Sequence, residues 1–216
     1  MSVVQPVITI DHPLARQALT ILRDVKTDTL EFRRALTQAG EILCLAATRD
    51  LGVETITVAT PLRGCRSKGV WVKEPVLLVP VLRAGLGFVE PFLKWLPQAS
   101  VGHLGLVRNE VTLQPESYYS KLPKIAASHR VFLLDPMLAT GGSAVAALKM
   151  LKQAGAKKVT LVCLLASPQG VKAVRKAHAD VTIYTCAVDT KLNDRGYIVP
   201  GLGDAGDRLF RTGGSL

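Results

Sequence analysis

Residues 131–144 read VFLLDPMLATGGSA. A continuous apolar run ends on an acid, Asp135, crosses a short loop and closes on Thr140-Gly141-Gly142-Ser143. Such a run, with no alternation, predicts a strand buried on both faces. From 140 to 156 the period changes: Val145, Leu148 and Leu151 share one side of a helix, and Gly155 stops it. Strand, tight loop and helix start in this order suit a phosphate. Free N–H groups at a helix N-terminus point outward, and the helix dipole favours an anion. Gly141 and Gly142 let the backbone approach closely, and the hydroxyls of Thr140 and Ser143 can donate further bonds. Asp135, at the strand end, can accept from the vicinal hydroxyls of a ribose. A plainer alternative keeps the same strand–turn–helix and uses Asp135 and Thr140 only as caps. The loop is neither GK[ST]-type nor GxGxxG.

The pattern around this segment predicts an open, largely parallel α/β sheet flanked by helices. Upstream, residues 76–81 (VLLVPV) form a second unbroken apolar run, 88–96 a helix and 101–107 a strand. Downstream, 159–165 predicts a strand, 168–177 a helix and 181–188 a fourth buried strand. Strand and helix alternate, as in sheets whose ligands bind beyond the strands' carboxyl ends. Towards the N-terminus, Asp11-His12-Pro13 starts a helix carrying Leu14, Leu19 and Leu22. A second helix spans 29–48, with Phe32, Leu36, Ile42, Leu43 and Leu45 on its apolar side. Across 53–72 the pattern changes: residues 55–60 alternate, then Gly64 and Gly69 precede Val70-Trp71-Val72, which predicts a β-hairpin arm suited to embracing a second subunit. Residues 108–124 are polar and show no period, and are read as a candidate lid.

Composition narrows the class. With 48% hydrophobic and 20% charged residues the chain is globular rather than disordered. A net charge of +10 favours polyanions without naming one. The basic residues are dispersed and not interleaved with aromatics, which argues against a nucleic-acid groove. Cys44, Cys65, Cys163 and Cys186 form no CxxC and have no His at metal spacing, and His12, His103, His129 and His178 form no metal or triad set. There is no secretion signal and no apolar stretch of membrane length, so the expectation is a cytoplasmic protein without membrane contact.

The 131–144 segment resembles the phosphoribosyl pyrophosphate (PRPP) motif of the type I phosphoribosyltransferases. Many members carry two adjacent acids; here Pro136 replaces the second, and DPMLATGGS is similar to the uracil-specific branch. Further segments resemble that branch in the same order: HPLAR (12–16), AATRDL (46–51), VPVLRAGLGF (79–88), GLVRNE (105–110), SYYSKLP (117–123) and GYIVPGLGDAGDR (196–208). The resemblance implies one phosphoribosyltransferase domain over residues 1–216, with the hairpin arm and a C-terminal hood over the base. It implies uracil and PRPP as substrates, Mg²⁺ as cofactor and a homodimer or higher homo-oligomer, with GTP a candidate effector and no nucleic acid.

It also implies residue roles. Asp135, Pro136, Met137, Leu138, Ala139, Thr140, Gly141, Gly142 and Ser143 hold PRPP, and Arg83 and Arg108 bind its pyrophosphate region. Arg83 suits this task, because an Arg fork at a strand end matches a phosphate bidentately. A strained or cis peptide before Arg83 belongs to the same implication. Ile198, Gly203 and Ala205 give main-chain contacts to uracil, with Asp204 towards PRPP and metal. Uracil presents acceptor, donor and acceptor along one edge, which backbone groups can match; cytosine would leave buried groups unpaired. Catalysis is assigned to Asp135, Arg83, Arg108 and Asp204. No dedicated protein metal site is expected, Mg²⁺ being held mainly by pyrophosphate and water. Past Phe210 the chain departs from the family's ending. The rival readings are an RNA-binding regulator of pyrimidine genes on the same fold, and the same chemistry on a purine or orotate.

Overall fold

The computed structural model describes residues 5–108 and 115–212, the side chains of Arg108 and Pro115 excepted. The chain begins with β1 (Val7–Thr9), α1 (Pro13–Arg23) and α2 (Thr29–Ala47), followed by the hairpin of β2 (Val53–Ala59) and β3 (Arg66–Val72). Then come β4 (Val76–Leu82), a 3-10 turn (Ala84–Phe88), α3 (Val89–Trp95), β5 (Ser100–Val101), β6 (His103–Arg108) and β7 (Pro115–Lys121). The remainder is β8 (Arg130–Leu134), β9 (Met137–Leu138), α4 (Gly142–Gln153), β10 (Lys158–Val162), β11 (Leu165–Ala166), α5 (Pro168–Ala177), β12 (Thr182–Thr185), β13 (Ala187–Val188), β14 (Lys191–Leu192), β15 (Ile198–Val199) and α6 (Ala205–Phe210).

The main sheet runs β1-β12-β10-β8-β4-β6-β7, with β5 also on β4. Every pairing in it is parallel except β6 with β7. Both faces are covered, and the period of two in the strands shows it. Leu77, Val79, Val131, Leu133 and Leu161 enter one core with Leu148 and Leu151 of α4 and Val174 of α5. Leu78, Phe132, Leu134 and Val162 enter the other, against Leu22 of α1, Phe32, Leu36 and Leu43 of α2 and Phe92 of α3. A strand buried on both sides needs apolar residues at every position, which is why these runs do not alternate.

Several expectations change in detail. The strands expected at 159–165 and 181–188 each break: β10 and β12 end in the main sheet, and β11 and β13 form a separate three-stranded parallel sheet with β9. Buried Cys163 and Cys186 sit at those breaks. The edge strand β1, parallel to β12, was not anticipated. Leu14 and Leu45 are exposed, while Ala15, Ala18, Ala35 and Ala39 fill the inner faces of their helices. Residues 115–121 of the candidate lid form β7, antiparallel to β6. The residues described on β7 are all exposed, so no inside–outside alternation marked it as a strand. Residues 109–114 of the expected lid lie outside the described residues, as do tail residues 213–216. The Leu82–Arg83 and Val199–Pro200 peptides are cis.

Candidate active site

β8 and β4 are neighbours, paired from Val76↔Arg130 to Pro80↔Leu134, so their carboxyl ends open at the same edge. A cleft of about 300 Å³ lies there. Of the residues singled out, Arg83, Asp135, Met137, Leu138, Ala139, Thr140, Gly141, Gly142, Ser143 and Asp204 line it. Pro136 does not: it is buried, and its carbonyl accepts from the N–H groups of Leu164 and Leu165 at 2.9 and 3.0 Å. Ile198 and Ala205 are buried and Gly203 is exposed beside the cleft wall, so any contact of theirs with a ligand would run through the backbone. Arg108 closes β6, two residues after Leu106, which lines the cleft; its side chain lies outside the described residues. Ala84, Leu106 and Gly206 also line the cleft; each lies in a segment that carries the family resemblance, but none was singled out by itself.

The end of the cleft at residues 140–144, expected from the sequence to take a phosphate, is built by the start of α4. Helices α1, α2, α5 and α6 each begin with a side-chain cap, from His12, Asp28, Ser167 and Asp204. α4 begins at Gly141 with no side-chain cap and no acid in its first turn. Gly142, Ser143 and Ala144 of its first turn line the cleft, with the positive end of the dipole behind them, and the Gly142 N–H makes only a long 3.5 Å bond to the Thr140 hydroxyl. Gly141 has φ +84, and a Cβ there would meet the Ala173 Cβ at 2.8 Å and the Gly170 carbonyl oxygen at 2.9 Å. Only glycine permits both the turn and this contact with α5.

Asp135 stands where β8 ends. Burial of its carboxyl raises the pKa to about 6, against a weak opposing bond from the Met137 N–H at 3.4 Å. Arg83 stands at the matching end of β4, where its guanidinium binds the C-terminal helix: Nη2 donates to Asp207 and Nη1 to Thr212. Asp204 caps α6 by accepting from the Asp207 N–H at 2.9 Å. Among the described residues no group of three or more His, Cys, Asp or Glu could hold a metal alone. Asp135 and Asp204 nevertheless offer hard carboxylate oxygens to the cleft. Either carboxylate has the oxygen chemistry that suits a Mg²⁺ ion keeping waters and substrate phosphate oxygens as its other ligands.

Behind the cleft wall, the segment containing Ile198 and Gly203 is tied to α1. Arg23 and Asp189 form a two-pronged pair at 2.6 and 2.8 Å. Asp189 accepts from the Gly201 N–H, and Arg23 donates to the Gly201 carbonyl, both at 2.8 Å. Burial would raise the Asp189 pKa, but the bonds from Arg23 and Gly201 hold it below the usual carboxylate value.

The likenesses to known proteins fit this architecture. The family model described as uracil phosphoribosyltransferase matches residues 8–212. A uracil phosphoribosyltransferase of Clostridium beijerinckii is 50% identical over 206 residues, 95% of this chain and 98% of that one. One from Brevibacillus brevis is 52% identical over 202 residues, 94% of this chain and 96% of its own. Among solved structures, the AQ2163 protein from Aquifex aeolicus superposes with a TM-score of 0.90 at 37% identity, covering 97% of this chain and all of that one. A hypoxanthine-guanine phosphoribosyltransferase of Bacillus anthracis reaches 0.51 at 14% identity over 75% of this chain and 79% of its own, a likeness of fold alone. None of these supports the RNA-binding alternative, which is set aside.

Proposed function

The chain belongs to the uracil phosphoribosyltransferase family, and we propose that its cleft divides the work of that reaction among Asp135, the α4 N-terminus, Arg83, Arg108 and the 198–205 segment. The enzyme transfers the phosphoribosyl group of PRPP to N1 of uracil, giving UMP and pyrophosphate, a step of pyrimidine salvage. The observation that carries the division of roles is the convergence of an uncapped helix start, a strand-end carboxylate and a strand-end guanidinium on one cleft.

In this reading the first amides of α4 and the hydroxyls of Thr140 and Ser143 bind the 5-phosphate. Asp135 accepts from the ribose hydroxyls. Arg83 and Arg108 bind the pyrophosphate, whose departure leaves an oxocarbenium-like ribosyl centre. Uracil N1 forms the new bond to C1 on the face opposite the departing oxygen, and its proton passes to water or to the departing pyrophosphate. The backbone of Ile198, Gly203 and Ala205 matches the uracil edge. Catalysis is then positioning together with stabilisation of the charge leaving on pyrophosphate. Bound Mg²⁺ would neutralise part of that charge, with Asp204 and Asp135 the residues able to hold it beside water and phosphate oxygens.

Three further features belong to the proposal. The exposed arm of β2 and β3 supports a homodimer. Four free cysteines fit a reducing, cytoplasmic setting. GTP remains a candidate effector by family resemblance, tested by adding it to the assay. The deciding experiment is turnover of labelled uracil with PRPP and Mg²⁺, against cytosine and orotate, with EDTA as control. UMP formation that needs both uracil and metal is expected; conversion unaffected by EDTA would remove Mg²⁺ from the scheme.

A further inference from the structure

The segment read as binding uracil is short of regular structure. Its only strand is β15, two residues paired to β14, after which the chain turns at Pro200 and Gly201 and runs through Gly203 to the start of α6. Main-chain recognition of a base tolerates little movement, because a shift of an ångström costs every bond at once. Something must therefore fix this backbone from outside the cleft. Two side chains do so. Asp189 accepts from the Gly201 N–H and Arg23 donates to the Gly201 carbonyl, so both backbone groups of one residue are taken. The pair is itself joined at both prongs, and Asp189 is 6% exposed. Asp189 is anchored in turn, its N–H donating to the Ala166 carbonyl beside β13. On the next residue, the Leu202 carbonyl accepts from Arg208 at 2.9 Å, and the same guanidinium stacks 4.4 Å over Phe32.

We propose that Arg23 and Asp189 are positioning residues for base recognition, clamping Gly201 so that the backbone from Gly203 to Ala205 keeps the register uracil requires. The inference rests on the reading of 198–205 as the uracil segment. Neither residue lines the cleft at the strand ends where PRPP is read to bind, and the side-chain bonds of both go to each other and to Gly201. Their loss should therefore divide the two substrates. A residue that merely stabilised the fold would weaken both alike.

The test measures KM for uracil and for PRPP, and the uracil-to-cytosine preference, in Asp189→Asn and Arg23→Lys. Asn keeps an acceptor for the Gly201 N–H but loses the charged pair; Lys keeps the charge but loses the fork. Hydrogen bonds to charged groups are strong enough that KM for uracil should rise about tenfold or more. KM for PRPP should stay within about twofold, and the preference over cytosine should fall. Thermal melting selects whichever variant is folded at the assay temperature, so one of the two suffices. Equal weakening towards both substrates, or none, overturns the clamp. Gly203→Ala supplies the separate arm, since Gly203 has φ +80 and an alanine there must distort the segment itself. If Gly203→Ala raises KM for uracil and the clamp variants do not, the clamp falls and the uracil reading stands. If Gly203→Ala leaves KM for uracil unchanged, the reading of the segment falls and takes the clamp with it.

Discussion

Arg83 Nη2 lies 3.0 Å from Asp207 Oδ1, so a guanidinium assigned to pyrophosphate is bound to a carboxylate of α6. Thr212 donates to the same carboxylate oxygen at 2.7 Å and accepts from Arg83 Nη1 at 3.1 Å. The Arg83 side chain is 53% exposed and that of Asp207 37%. Solvent screens such a pair to about 0.2–1 kcal/mol. A pyrophosphate offers several charge-assisted bonds, each stronger, and so draws Arg83 away at little cost. Asp207→Asn should accordingly change KM for PRPP by no more than about fivefold. Arg83→Ala should lower kcat/KM for PRPP by about 100-fold or more. Steady-state kinetics on the two variants compares them directly, and an equal loss in both would make Asp207 part of the binding site.

Asp135 predicts opposite effects on stability and activity. Its raised pKa means that the folded chain binds more protons than the unfolded chain between about pH 3.8 and about pH 6. Stability therefore falls as pH rises through that window and stays lower above it. Asp135→Asn removes the buried charge and should gain about 1–2 kcal/mol at pH 8, the cleft screening part of the penalty, with no gain near pH 3.5. Turnover should collapse in the same protein, because the amide NH₂ cannot accept from a ribose hydroxyl. In the unsubstituted enzyme kcat/KM for PRPP should fall as pH drops below about 6. Denaturant melts at the two pH values and a pH–rate profile measure both; a variant that is no more stable at pH 8 would show that burial is not what perturbs the carboxyl.

Asp204 carries two duties that substitution can separate. It caps α6 through the Asp207 N–H, and it faces the cleft. Asn caps a helix about as well as Asp, whereas Ala forfeits about 1 kcal/mol. Asp204→Asn should keep the melting temperature and lose activity, most of all at limiting Mg²⁺. Asp204→Ala should lose both. If the Asn variant restores activity at every Mg²⁺ concentration, capping is the whole role.

The main sheet was legible because its strands are buried on both faces: runs such as 76–81 and 130–134 permit no other placement. The strand–loop–helix junction at 131–144 was legible because an unbroken apolar run, a glycine pair and a change of period mark its three parts, and the fold brings that junction to the cleft. β7 was hidden, since an exposed edge strand leaves no hydrophobic trace. The breaks at Cys163 and Cys186 were hidden for the opposite reason, because apolar residues continue through them into the second sheet. Arg23, Asp189 and Asp207 were missed altogether. Their partners lie 166 residues apart for Arg23 with Asp189 and 124 apart for Arg83 with Asp207, and no local pattern encodes a pairing made by the fold.

The arm of β2 and β3 has no core of its own. Val70 and Trp71 are 68% and 61% exposed, and Val53 and Val72, which face each other across the hairpin, are also open to solvent. A two-stranded hairpin alone in water is marginal, and one carrying Trp and several Val gains most when another surface covers it. A second copy of the chain is the occupant proposed, the arm of each embracing the other. Burial of a large apolar side chain contributes about 1.5–3 kcal/mol, so Trp71→Glu in both copies should weaken association by several hundredfold or more. Light scattering at micromolar concentration should give twice the 23.2 kDa chain mass for the unsubstituted protein and the single mass for the variant. A monomer in both cases would leave the arm without its partner and end the dimer proposal. The cleft lies at the far ends of β4 and β8 from the point where β3 hands over to β4, so a monomeric variant should keep measurable turnover.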